Sequence, residues 1–162
     1  MYRVSFTGYR PQKLPFFSED DPMCADLKSR ISGEIEKLYE NGAEEFYSGM
    51  ALGVDMWCAE AVLSLREKHP DVRLTAVIPC RDQENRWNPA DQRRYHDILG
   101  KCDKVLCISE SYTSDCMKKR NTALVDLCDV LVAVFDGKPG GTKQTVDLAS
   151  RRGRKTIIIP PV

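Results

Sequence analysis

Apolar residues in this chain follow two alternating spacings. Short strand-like runs fall at residues 3–7, 45–47, 72–78, 104–108, 130–135 and 156–159. The fifth, Val130-Leu131-Val132-Ala133-Val134-Phe135, is unbroken, as a parallel strand buried on both faces requires. Between the runs, apolar positions recur every three or four residues, the spacing of an amphipathic helix. Met23, Leu27, Ile31, Ile35 and Leu38 form one such stripe, and Val54, Trp57, Cys58, Ala61, Val62 and Leu65 form another. Tyr95, Ile98 and Leu99 mark a third, Met117, Ala123, Leu124 and Leu127 a fourth, and a last helix spans about 142–152. Pro22 suits a first helical position, and Asn41-Gly42, His69-Pro70, Gly100 and Gly153 supply stops. Residues 12–21 are expected to be loop.

Strand and helix alternate from end to end with short connections, so residues 1–162 predict one α/β domain with a mainly parallel sheet and right-handed crossovers. Such sheets bind ligands beyond the carboxyl ends of their strands, where the strand order reverses. Those ends here are Gly8-Tyr9-Arg10, Ser48-Gly49-Met50, Pro79-Cys80-Arg81, Ser109-Glu110-Ser111 and the segment 137–142. They are polar and glycine-bearing, whereas the turns at the other rim read as plain helix stops. One ligand-facing rim is expected.

Ser48-Gly49-Met50-Ala51-Leu52-Gly53-Val54-Asp55 is the central candidate. Two glycines between a strand and a helix N-terminus let an anionic ligand approach main-chain N–H groups and the positive end of the helix dipole. Gly140-Gly141-Thr142 repeats that arrangement, with Thr142 suited to an N-cap. Arg10 follows the first strand, where a guanidinium can grip phosphate in two places, and Asp55 is placed to meet a sugar hydroxyl. Gly53→Asp is expected to abolish binding while sparing stability. Trp87 and Tyr95 are candidates for stacking on a base or for packing one element on another, and 83–87 for a lid.

Composition narrows the partners. Lys plus Arg and Asp plus Glu both number 24, a net charge of zero that disfavours a dedicated nucleic-acid surface. No apolar run is long enough for a bilayer and residues 1–4 lead straight into a strand, so no membrane partner and a cytoplasmic location are expected. Seven cysteines without Cys-x-x-Cys spacing, and two isolated histidines, predict free thiols and no metal.

Several separated motifs, namely residues 4–11, 48–55, 83–87 with Tyr95, Lys119-Arg120-Asn121 and Gly140-Gly141-Thr142, occur in the order found in YpsA-like proteins of the SLOG superfamily, which this chain resembles. That superfamily includes DNA-processing protein A and the LOG phosphoribohydrolases. The resemblance implies a Rossmann-like three-layer sandwich that binds a nucleotide-derived ligand of ADP-ribose, NAD or nucleoside monophosphate type. It carries the site to Gly8, Arg10, Ser48, Gly49, Gly53, Asp55, Arg120, Asn121, Gly140, Gly141 and Thr142. It also implies a homodimer and a sensing role in stress response or cell division. LOG enzymes carry Pro-Gly-Gly-x-Gly-Thr-x-x-Glu, and Thr145 stands where their catalytic Glu is expected. A threonine supplies no carboxylate for cleaving an N-glycosidic bond. A ligand-binding protein is therefore expected, and the alternative, an N-glycosidic hydrolase or transferase, would have to use Asp55 or Glu110.

Overall fold

β1 (Tyr2–Gly8) carries Val4, Phe6, Ser5 and Thr7 fully or nearly out of solvent, so it lies in the middle of the molecule. The computed structural model describes residues 2–162. A 3-10 turn (Pro11–Lys13), inside the stretch expected to be loop, leads to α1 (Pro22–Glu40). Asp21 caps α1 by accepting from the Met23 N–H at 2.9 Å, and Pro22 takes the first helical position. Leu27, Ile31 and Ile35 are each at most 1% exposed, and burying each such side chain contributes about 1.5–3 kcal/mol.

The chain then runs β2 (Ala43–Ser48), α2 (Val54–Lys68), β3 (Arg73–Cys80), α3 (Pro89–Lys101), β4 (Lys104–Ser109), α4 (Cys116–Leu127), β5 (Val130–Val134), α5 (Gly141–Arg151) and β6 (Lys155–Ile159). β3 extends past the proline expected to close it. Pro79 lacks an N–H and drops out of the ladder, while Ile78 pairs with Cys107 and Cys80 with Ser109.

The six strands lie in the order β4-β3-β2-β1-β5-β6, and all five pairings are parallel. This is a Rossmann-like three-layer α/β sandwich. From β1 the chain steps outward through β2, β3 and β4, with α1, α2 and α3 packed on one face. It then returns to the far side of β1, and right-handed crossovers place α4 and α5 on the other face. The order therefore reverses between β1 and β5, where the carboxyl ends part to leave a crevice. β4 is an edge strand, which leaves Val105 and Leu106 exposed despite their apolar character. All seven cysteines are free thiols, five of them buried.

Candidate functional site

A cleft of about 430 Å³ opens at the reversal point, within the range of small-molecule sites. β1 and its exit supply Phe6, Thr7, Gly8, Tyr9 and Arg10, the 3-10 turn Gln12 and Lys13, the turn after β2 Ala51, and the first turn of α2 Asp55. Met117, Arg120, Asn121 and Leu124 come from α4, and Gly141 and Thr142 from α5.

Seven of the expected positions thus line one cleft: Gly8, Arg10, Asp55, Arg120, Asn121, Gly141 and Thr142. Ser48, Gly49, Gly53 and Gly140 are outside its lining. Ser48 is fully buried, where its hydroxyl donates to the Asp55 carbonyl at 2.8 Å and accepts from the Met50 N–H at 3.2 Å. That pair of bonds holds Met50 at φ 59, a left-handed conformation unusual for a side chain of this kind. Gly49 is backed by Arg120, whose Nη1 donates to the Gly49 carbonyl at 2.6 Å. A Cβ on Gly49 would lie 2.6 Å from that same nitrogen, so only glycine admits the contact.

Gly53 has φ +89, and a Cβ there would stand 2.8 Å from the Tyr9 carbonyl oxygen and 3.0 Å from Pro11. The expectation that Gly53→Asp would spare stability is therefore replaced: this glycine joins the α2 entrance to the β1 exit, and any side chain strains the fold. Gly53 instead faces a smaller hollow of about 150 Å³ with Pro11, Phe16, Trp57 and Arg94.

The helices differ at their starts. Asn88 caps α3 by accepting from the Asp91 N–H at 2.8 Å, as Asp21 caps α1. α2 and α5 begin at glycine N-caps without any side-chain cap. Thr142, expected as the cap of α5, instead sits one residue inside the helix and lines the cleft. The α2 entrance is partly used, since the Val54 N–H donates to the Tyr9 carbonyl at 3.3 Å. The uncapped α5 entrance presents a positive dipole end beside the cleft.

Charge is concentrated on two buried groups. Burial pushes the Asp55 carboxyl up from its ordinary range, against the opposing pull of Arg120, the Ala51 N–H and Arg10. Burial likewise pushes the Arg120 guanidinium down, with Asp55 opposing. Asp55 Oδ2 accepts from Ala51 at 3.3 Å, and Arg120 Nε donates to Asn121 Oδ1 at 2.8 Å. Arg120 is 4% exposed and makes no ion pair within 4.0 Å among the described residues. Arg10 is exposed; its guanidinium donates to the Met117 sulfur at 3.7 Å and has no carboxylate partner among the described residues.

Tyr9 and Lys13 were not foreseen as site residues. The Tyr9 hydroxyl donates to Asp136 beyond β5, and Lys13 Nζ donates to the Pro139 carbonyl at 2.6 Å. Together they tie the β1 exit to the β5 exit across the crevice. The signal for Tyr9 was its place between Gly8 and Arg10; nothing local marks Lys13. Thr145 is buried, and its hydroxyl donates back to the Gly141 carbonyl at 2.9 Å, so it is taken up within α5. Glu110 lies beyond β4, outside the cleft lining, in an exposed ion pair with Arg81 at 2.7 Å. Among the described residues no group of three or more His, Cys, Asp or Glu could hold a metal ion, and no helix is long and apolar enough to cross a membrane.

Fold and cleft define a Rossmann-like α/β protein with a polar crevice at its topological switch point. A family model described as the YspA SLOG family matches residues 4–156, and the chain belongs to that family. It is 32% identical over 152 residues to a UPF0398 protein of Halalkalibacterium halodurans, covering 92% of this chain and 80% of the relative. A UPF0398 protein of Bacillus pumilus is 31% identical over 141 residues, covering 86% and 76%. Among solved structures, DNA processing protein A from Helicobacter pylori, described by its single-stranded DNA binding mode, superposes with a TM-score of 0.67 at 19% identity. That match covers 98% of this chain and 65% of the other. DNA processing protein A from Streptococcus pneumoniae gives 0.66 at 20% identity, covering 98% and 50%. At these identities the likeness is one of fold, and this chain spans only part of each of those proteins.

Proposed function

We propose that the switch-point cleft binds a nucleotide-derived small molecule of the ADP-ribose, NAD or nucleoside monophosphate type, and that the protein acts as a sensor or regulator. The observation that carries this reading is the convergence, in one cleft, of the uncapped α5 entrance, the unpaired Arg10 and the buried Arg120. Each favours an anion, and together they outweigh the one buried carboxylate, Asp55. Phosphate goes to the α5 entrance and Arg10, and Asp55 accepts from a sugar hydroxyl. Stress response or cell division is the downstream setting we propose for the protein, a suggestion that its resemblance to YpsA-like proteins supports.

Calorimetry with ADP-ribose, NAD, AMP and ribose 5-phosphate tests it. Saturable binding to at least one is expected, weakened in Arg10→Ala, and no heat with any would reject the reading. The hydrolase alternative rests on Asp55 alone, because Glu110 is outside the cleft and Thr145 has no carboxyl. Release of free base from nucleoside monophosphates, lost in Asp55→Asn, would favour it. The DNA-processing neighbours raise single-stranded DNA as a further ligand, with Arg10 and Lys13 on the cleft wall as its phosphate contacts. A gel shift that weakens steeply with salt would favour that reading over a small molecule.

A further inference from the structure

A second hollow of about 170 Å³ adjoins the cleft, and the two share Arg10, Gln12, Ala51 and Met117 as a common wall. Gln83, Trp87 and Leu52 complete it. It is too small for a whole nucleotide and suits a single planar ring system.

Its polar group is uncommitted. Gln83 Nε2 reaches the Gly49 carbonyl and the Tyr95 hydroxyl only at 3.4 Å each, the outer limit of a hydrogen bond. Gln83 Oε1 is sealed from solvent and meets no donor among the described residues. An amide so held gains by turning toward any group that satisfies both its ends. The segment carrying it is fixed. Gln92 Nε2 donates to the Glu84 and Asn85 carbonyls at 3.1 and 3.2 Å, the Trp87 N–H donates to Glu84 at 3.0 Å, and the Glu84 carboxylate meets His96 at 2.8 Å. The 83–87 turn is therefore a pinned shelf instead of a lid, and only the Gln83 amide is poised to rotate. Trp87 stands nearly perpendicular to Tyr95, at 87° with ring centroids 5.2 Å apart, and lines the hollow beside the amide.

We propose that this hollow is the base subsite of the same ligand and that it selects adenine, Trp87 stacking on the ring and the Gln83 amide pairing with N6 and N7. The inference rests on the nucleotide reading of the neighbouring cleft. A glutamine amide offers one acceptor and one donor side by side, which match the N6 amino group and N7 of adenine. Guanine presents acceptors at both positions, O6 and N7, and leaves Oε1 unpaired. The shared Arg10 wall puts a phosphate-gripping group between base and phosphate subsites.

Titration calorimetry with AMP, GMP and ribose 5-phosphate separates the two claims. Wild type is expected to prefer AMP over GMP about tenfold. Gln83→Leu should bring that ratio to within about twofold and leave ribose 5-phosphate unchanged, and Gln83→Arg should tilt it toward GMP. Trp87→Leu should weaken AMP and GMP alike, about tenfold, without changing ribose 5-phosphate. Equal affinity for AMP and GMP in wild type, or a preference that survives Gln83→Leu, overturns the adenine subsite while ribose 5-phosphate binding keeps the cleft reading. If none of the three binds, the adenine subsite falls, and the cleft reading falls with it when ADP-ribose and NAD give no heat either. Adenine also arrives in polynucleotides: oligo(dA) that binds more tightly than AMP and releases steeply with salt would overturn the free-nucleotide form.

Discussion

Two glycines with different roles, Gly53 and Gly141, should respond in opposite ways to the same added methyl group. At Gly53 the backbone stands at φ +89 and ψ −127, a region that side chains avoid, and holding alanine there costs about 1–3 kcal/mol. The new Cβ would also meet the Tyr9 carbonyl oxygen at 2.8 Å and Pro11 Cδ at 3.0 Å, backbone and ring atoms that cannot swing aside. Overpacking of this sort costs a further 1–3 kcal/mol, roughly. For a chain of this length each kcal/mol lowers the melting temperature by about 2–4 °C, so a combined cost of about 3 kcal/mol predicts a fall of roughly 6–12 °C. At Gly141 an added Cβ has nothing within 4 Å, and the residue begins α5 on the cleft wall. Gly141→Ala should therefore melt within about 2 °C of wild type, because alanine is tolerated there and the unfolded chain loses some freedom. Gly141 lines the cleft at the α5 entrance assigned to phosphate, so a methyl group there should lower nucleotide affinity about tenfold. Thermal unfolding by circular dichroism, paired with calorimetry, reads both. A wild-type melting temperature for Gly53→Ala, or a loss in Gly141→Ala that matches it, would refute the division between a supporting glycine and a ligand-facing one.

Three further outcomes follow from the same geometry. Asp55 has a folded-state pKa raised by burial, so between its unfolded and folded values the native state holds the proton more tightly, and stability falls as pH rises through that window from about 3.8. Asp55→Asn should accordingly raise the melting temperature at pH 8 by more than at pH 4, and an equal or smaller gain at pH 8 would contradict the direction of the shift. Ser48→Ala removes a buried hydroxyl that joins Met50 to the Asp55 carbonyl, which should cost about 1–3 kcal/mol and be visible as a lower urea midpoint. Arg10→Ala, at an exposed residue without an ion pair, should leave the urea midpoint unchanged and weaken any phosphate-bearing ligand more at low salt than at high salt.

The layered fold was legible because burial on both sides of a parallel sheet leaves its mark in its inner strands, as in the run 130–135, and helical spacing leaves its own in Leu27, Ile31 and Ile35. Strand order was not legible, since the apolar residues of edge strand β4 read the same as those of a central strand. In the cleft, Arg10, Asp55, Gly141 and Thr142 were visible from their places at strand exits and helix starts. Lys13 was not, and Gln83 of the adjoining hollow was visible only as the start of the 83–87 segment, read as a lid. Their positions depend on how the 3-10 turn and the 83–87 turn fold back over the sheet rim, and no local pattern encodes such a return.

The glycine-rich turn after β2 is the part whose role changes most between sequence and structure. Read along the chain, it looks like the surface that touches phosphate. In three dimensions its Ser48 hydroxyl, its Gly49 carbonyl and the left-handed Met50 are spent on holding Asp55 and Arg120 in place. Burial disfavours the charged forms of both those side chains, and a protein selected for stability alone would replace them with apolar groups of similar size. Keeping a carboxylate and a guanidinium in one crevice, within reach of each other's field but without a direct ion pair, leaves hydrogen-bonding capacity that a polar, charged ligand can complete. The turn thus serves the site by positioning, and selectivity for the ligand has to come from the residues that reach the open cleft.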